Sequence, residues 1–195
     1  MRRLPFLLAV VALCTSALAD DKSADAILLV ARSDLPDPFF HDSVVLVTNA
    51  AVAPFGVIVN KPLKFKLSEA MPDVERMKKL DEKIFFGGPV QADDVLFVFR
   101  AAEPPQSAVR IMEGVYMSGN RELLDSLLAR DKPMEGLRVF AGHAGWSPGQ
   151  LENEISRGDW ALLPADAATI FSAKPETAWS ELSRRAAATK VRYTR

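Results

Sequence analysis

Ser43-Val44-Val45-Leu46-Val47-Thr48 and Gly56-Val57-Ile58-Val59-Asn60 stand on either side of the connection Asn49–Phe55. Both runs are short, apolar and rich in β-branched residues, the pattern of buried strands rather than of helices. Strands so close together can only turn back on one another, whereas parallel neighbours need a crossover of a dozen residues or more. A hairpin is therefore expected here. It favours an α+β domain with a mixed, largely antiparallel sheet over a doubly wound parallel one.

Working outward, Ile27–Ala31 reads as another buried strand, followed by the proline-punctuated loop Leu35-Pro36-Asp37-Pro38. On the other side, Leu67–Lys79 suggests one or two short helices broken near Pro72, because the residue before a proline disfavours helix. Ile84–Phe86 and Val95–Arg100 read as strands separated by the turn Gly87-Gly88-Pro89 and a polar loop, and Arg110–Met117 as a weaker strand. Asn120 is placed to cap a helix reaching Arg130, with Leu123, Leu124, Leu127 and Leu128 on one face. Leu137–Ala141 returns as a strand. Ser147-Pro148-Gly149-Gln150 then carries the signals of a helix start: Ser147 as cap, Pro148 at the first helical position, Gln150 completing a capping box. Asp159–Leu163 is expected as a strand, Asp166 as the cap of a short helix, and Pro175–Ala188 as the last helix. One domain, residues 27–188, accounts for these elements.

The chain has 195 residues. Its first nineteen have the features of a secretory signal: Arg2-Arg3, the apolar stretch Leu4–Leu13, and the small residues Ala17 and Ala19. That stretch is shorter than the roughly 20 residues a membrane span needs. Residues 20–26 would form a polar mature end and residues 189–195 a basic tail. Cleavage after Ala19 would remove Cys14, the single cysteine, and with it any disulfide or thiolate chemistry. It would also leave 22 basic against 25 acidic residues, a formal charge of −3. A mildly acidic domain lacks the electrostatic footprint of a nucleic-acid binder. The expected location is the periplasm or the medium.

Gly145-Trp146-Ser147-Pro148-Gly149 matches the G-x-S-x-G pattern of hydrolase nucleophiles. The match fails chemically. The oxyanion hole of such enzymes uses the N–H of the residue after the serine, and Pro148 has none. His41 and His143 both precede Ser147, whereas that fold places its histidine after the serine. The two histidines also lack the spacing and companions of a metal site. Phe85-Phe86-Gly87-Gly88-Pro89-Val90 carries no lysine at phosphate-loop spacing and reads as a tight turn. Ala50–Phe55 forms an apolar hairpin tip, either a contact patch or part of the core.

Taken in order, Leu35–Leu46 (LPDPFFHDSVVL), Gly56–Leu63 (GVIVNKPL), Phe85–Val90 (FFGGPV) and Phe140–Glu154 (FAGHAGWSPGQLENE) resemble the YqgE/AlgH family, and Asp159–Ala165 with Trp160 continues the match. The resemblance implies a compact α+β domain built round a curved sheet or barrel with helices outside. It brings no catalytic residues and no cofactor. Carried onto this chain, its motif positions give Asp37, Asn60, Gly87, Gly88, Trp146, Gln150 and Glu152 as candidates for binding a ligand or partner. This chain departs from the pattern in its signal segment, in its apolar hairpin tip, and in Arg100 where a histidine is common.

The resulting expectation is an exported, non-enzymatic domain, monomeric or weakly oligomeric, without a transmembrane segment once the signal is removed. It would bind a small molecule or a protein partner. Two alternatives stand beside it. Some family members carry the label of transcriptional regulator, which export and acidic charge oppose, and an enzyme with an unrecognised site is the other.

Overall fold

A computed structural model describes residues 26–48, 53–171 and 174–193. The expected signal segment and residues 50–52 of the hairpin tip lie outside the described residues.

The order of elements follows the chain's apolar runs. The strands are β1 (Ile27–Ala31), β2 (Val44–Thr48), β3 (Phe55–Ile58), β4 (Pro62–Lys66), β5 (Lys83–Phe86), β6 (Val90–Arg100), β7 (Val109–Met112), β8 (Val115–Ser118), β9 (Leu137–Gly145) and β10 (Trp160–Pro164). The helices are α1 (Leu67–Ala70), α2 (Arg121–Leu128), α3 (Gln150–Arg157), α4 (Ala167–Phe171) and α5 (Pro175–Tyr193), with a 3-10 turn over Glu75–Lys79. Lateral order in the sheet is β10-β1-β2-β3-β9-β6-β8-β7, and β5 joins β4 to β9 off this path. Only β5 and β9 run parallel among the described pairings. The domain is thus α+β, with one curled, largely antiparallel sheet forming a half-barrel.

Side-chain alternation along each strand divides the apolar residues among three cores. Leu28, Val30, Val44, Leu46, Val57, Val98, Phe140 and Met117 fill the inside of the curl with Leu182 of α5. Leu29, Val45, Val47, Ile58 and Ala144 face outward and pack beneath Leu151 of α3, together with Trp146 and Trp160. Phe97, Phe99, Val139 and Ile84 pack outward against Leu67, Met77, Leu124 and Leu127. Both faces of β1, β2 and β3 are covered, which is why these strands read as continuous apolar runs rather than as alternation. Each fully buried aliphatic side chain contributes about 2 kcal/mol of transfer free energy. Ile111 of β7 and Leu163 of β10, from the two opposite edges of the sheet, share the inner core.

Several expectations change. Arg110–Met117 is a hairpin, β7 and β8, turning at Gly114 with φ 67. β6 begins at Val90 rather than Val95, because Gln91–Asp94 bulge out between the pairs Val90–His143 and Val95–Ala141. β4, with three lysine-bearing positions around its Pro62 start, gives too little apolar signal to be read as a strand. α5 continues to Tyr193, so the basic tail begins as helix. The Ser147 helix start is also shifted. Gln150 N–H donates to Ser147 O at 3.0 Å, and Gly149 adopts φ 78, ψ −9. Pro148 and Gly149 therefore occupy the centre of a type II turn, and the helix begins after them. Pro-Gly satisfies that turn better than it satisfies a helix, because only glycine takes the left-handed position without strain.

The caps at Asn120 and Asp166 form as expected. Asn120 Oδ1 accepts the Leu123 N–H at 2.8 Å, and Asp166 Oδ1 accepts the Thr169 N–H at 2.8 Å. Among the described residues, no helix is long and apolar enough to cross a membrane.

Candidate functional site

Three of the sequence candidates meet at one cleft. It has a volume of about 440 Å³ and lies between the Arg32–Phe40 loop, the turn after β9, α3 and the start of β10. Local structure explains why each wall is where it is. Asp37 Oδ1 accepts the N–H groups of Phe39 and Phe40 at 2.8 and 3.0 Å, folding the loop into a turn that points Phe40 inward. Lys61 Nζ braces the same turn by donating to Phe39 O at 2.9 Å. Burial lowers the Lys61 pKa, and the nearby Asp42 and Asp37 carboxylates oppose that shift.

α3 ends in a Schellman pair. Gly158 at φ 79 donates to Ile155 O at 2.9 Å, and Asp159 N–H donates to Glu154 O at 3.0 Å. That reversal carries the chain directly into β10 and lays Trp160 against the helix it has just left. Glu154 of α3 is the centre of the result. Its Oε2 accepts the indole N–H of Trp146 at 2.9 Å and that of Trp160 at 2.8 Å, while its Oε1 accepts Gln150 Nε2 at 2.9 Å. Gln150 Oε1 accepts the Ser147 N–H at 3.1 Å, which ties the turn to the same network.

The rings form a floor. Phe40 lies 6.3 Å from Trp146 and meets Trp160 nearly edge-on at 5.8 Å and 82°. Trp146 and Trp160 are only 6% and 5% exposed, so ring edges rather than whole faces line the cleft. Arg157 holds Asp159 at 2.6 Å, and Arg32 pairs with Asp34 at the rim. The polar groups of this cleft are thus largely engaged with one another; they make up most of its accessible lining, over a floor of largely buried aromatic rings.

The other candidates have different work. Asn60 is a lock between strands: its Oδ1 accepts the Val44 N–H at 2.8 Å and its Nδ2 donates to Asp42 O at 2.9 Å. Gly87 and Gly88 cross over β9 backbone to backbone. A Cβ at Gly87 would stand 2.1 Å from Gly142 O, and one at Gly88 2.2 Å from His143 O. The Gly87 N–H donates to Ala141 O at 2.8 Å. These glycines serve a close approach of chains. Glu152 is exposed on α3 and does not line the cleft.

Sequence reasoning missed Glu154, Trp160 and Phe40. Glu154 was legible as the residue one helical turn after Gln150, on the same face. Trp160 and Phe40 gave no spacing signal, because only the reversal at Gly158 and the turn at Asp37 bring them to Trp146. The histidines stand apart. His41 sits 3.6 Å from Asp42 at an exposed corner, and His143 packs against Phe55 with ring centroids 4.5 Å apart. Ser147 is exposed, and its backbone belongs to the turn rather than to a strained nucleophile elbow.

This arrangement has known relatives. A UPF0301 protein of Chlorobaculum tepidum is 35% identical over 160 residues, spanning 80% of this chain and 83% of that protein. A second, from Chlamydia pneumoniae, is 30% identical over 154 residues, 78% of this chain and 81% of that one. The solution structure of the AlgH protein from Pseudomonas aeruginosa matches with a TM-score of 0.68 at 28% identity, covering 85% of this chain and 88% of that structure. A crystal structure of a Corynebacterium diphtheriae protein matches at 0.66 and 26% identity, covering 83% and 86%. The AlgH-like family model matches residues 28–190, from the inner core of β1 through nearly all of α5. Sheet, glycine crossing and aromatic cleft all fall within that span, and the chain belongs to the AlgH-like family.

Proposed function

We propose that this chain is an exported, non-enzymatic domain that binds a small ligand or a protein partner through its aromatic cleft. The observation that carries this reading is the Glu154 carboxylate, which holds Trp146, Trp160 and Gln150 at once. The floor is thereby set in one orientation before anything binds, and such pre-ordering lowers the entropic cost of association. Aromatic groups with an arginine-bearing rim are the residue types that anchor interfaces.

The non-enzymatic part of the reading rests on how the polar groups are used. Arg157 is committed to Asp159, Arg32 to Asp34, Asp37 to backbone N–H groups, and Glu154 to its three donors. A nucleophile needs a base within hydrogen-bond reach, and no serine, threonine or cysteine lines this cleft among the described residues; Ser147 sits on an exposed turn beside it. Export rests on the N-terminal segment with its Ala17-Leu18-Ala19 site. An exported acidic domain has little use as a transcriptional regulator.

Two measurements test the proposal. Fractionation with N-terminal sequencing should find a chain beginning at Asp20 outside the cytoplasm; unprocessed protein in the cytosol overturns the export half. In a Trp179→Phe protein, fluorescence reports Trp146 and Trp160 alone. Titration with envelope extract should change that signal saturably, and Phe40→Ala should remove the response. A cleft that responds to nothing in such extracts overturns the binding half.

A further inference from the structure

A second groove, separate from the aromatic cleft, has a volume of about 360 Å³ and is lined by Arg138 and Phe85 with Met134, Phe171, Glu82 and Glu176. Arg138 of β9 is its distinctive member. Its guanidinium lies 4.4 Å over the Phe85 ring, Nη1 donates to Val59 O at 3.0 Å, and Nη2 donates weakly to Phe171 O at 3.4 Å. No carboxylate pairs with it among the described residues. Burial lowers its pKa to about 10, and it remains charged at neutral pH.

A half-buried cation without a counter-ion carries a desolvation cost that the two carbonyls and the ring offset only in part, so an incoming anion would be favoured there. Two carbonyls occupy two of five guanidinium N–H donors, in a planar fork suited to a carboxylate. Outside the groove, on the neighbouring surface that shares Phe171 and Met134, Arg100 lies 5.3 Å over the ring of Phe171. Phe85, Phe171 and Met134 make the apolar walls, and Lys83 adds a second cation to the lining. Glu82 and Glu176, only one of them offset by Lys83, favour a singly charged guest over a doubly charged one.

We propose that this groove is a binding site for a singly charged organic carboxylate carried on an apolar or aromatic body, with Arg138 as the carboxylate's partner. Arg138 is the specificity residue, Phe85 and Phe171 hold the body, and the two glutamates disfavour dianions. The site is independent of the Trp146–Trp160 cleft.

Phenylacetate serves as the probe, its neutral amide as the charge control, and inorganic phosphate, a mixture of mono- and dianion at neutral pH, as the more highly charged anion without an apolar body. Titration into the full chain, followed by NMR of the arginine Nε–Hε groups and by calorimetry, should move the Arg138 resonance saturably with phenylacetate. The amide and phosphate should bind at least tenfold more weakly. Arg138→Met should lose phenylacetate binding at least tenfold while keeping its circular dichroism, and Arg138→Lys should fall between. Should Arg138→Met fail to fold, the wild-type Nε–Hε titration decides by itself. Phosphate binding tighter than phenylacetate, an unmoved Arg138 resonance, or undiminished binding by a folded Arg138→Met protein each overturns the proposal.

Discussion

Trp146 and Trp160 meet edge to face, ring centroids 6.4 Å apart at 79°, and both aim their indole N–H at one oxygen of Glu154. One carboxylate thereby ties the turn after β9 to the first residue of β10, with α3 between them. Removing it leaves two part-buried indole donors without their acceptor. Glu154→Ala should lower stability by about 3 kcal/mol, the cost expected for losing hydrogen bonds to a charged group and orphaning their partners. Glu154→Gln should cost less, about 1 kcal/mol, because its carbonyl can still accept both indoles while its amide faces the Gln150 donor. Urea unfolding followed by tryptophan fluorescence measures both; equal stability of wild type and Glu154→Ala refutes the network's role.

Ser147 provides the contrast. A helix-capping serine costs about 1 kcal/mol when replaced by alanine. Here the turn is built from the Ser147 backbone and the Gln150 side chain, so Ser147→Ala should change stability by less than about 0.5 kcal/mol. Gly149→Ala should cost about 1 to 2 kcal/mol, from its left-handed backbone alone, since a Cβ there meets nothing within 4 Å. Thermal unfolding of the two variants separates these expectations.

The glycine crossing should be far less forgiving. Gly142 sits at φ 68 with its Cβ position 2.4 Å from Gly88 O, and Gly88 would in turn strike His143 O. Backbone cannot move aside as a flexible side chain can. Gly88→Ala and Gly142→Ala should each cost about 3 kcal/mol or more, or leave the protein insoluble. Soluble expression and unfolding midpoints read the result, with Gly149→Ala as the tolerant control.

Asn60 locks Val44 through a buried bond and Asp42 through a part-buried one. Asn60→Ala should cost about 2 to 3 kcal/mol by orphaning the Val44 N–H. Asn60→Asp should also destabilise, since it keeps that acceptor but points a second oxygen at Asp42 O. Amide hydrogen exchange at Val44 should accelerate in Asn60→Ala, and unchanged protection there counts against the lock.

His143 makes stability depend on pH. Burial lowers its pKa, the nearby Asp94 carboxylate only partly opposing this. The unfolded chain, with its histidine near 6.5, therefore binds protons at a higher pH than the folded one. The histidine's contribution is fully present above that value and is lost as pH falls through the lower folded pKa. Denaturant midpoints should decline below about pH 6.5, and His143→Gln should flatten that decline while the carboxylate-driven loss at lower pH persists.

Much of the scaffold was legible because it is written in contiguous runs. Val44–Thr48 and Phe55–Ile58 pair as a hairpin, the caps at Asn120 and Asp166 close as their side chains predict, and the helical break falls near Pro72. The errors arise where two local rules compete. At Ser147 the capping-box pattern and the Pro-Gly turn call for different backbones, and the glycine's positive φ decides for the turn. At Gln91–Asp94 polarity suggests a loop, yet pairing on either side holds the segment as a bulged strand. Around Glu113-Gly114 an apolar run conceals a reversal that only the register of β7 and β8 exposes.

By itself, then, the sequence determined the α+β class, the antiparallel pairing of β2 and β3 and the family, because each depends on residues near one another along the chain. The tertiary structure decided which candidates share a site. Asp37, Trp146 and Gln150 converge, Asn60 and the two glycines hold the scaffold, and Glu154 proves central. That sorting depends on the curl of the sheet and the reversal at Gly158. Both bring together residues far apart in sequence, through packing whose energy no local spacing encodes.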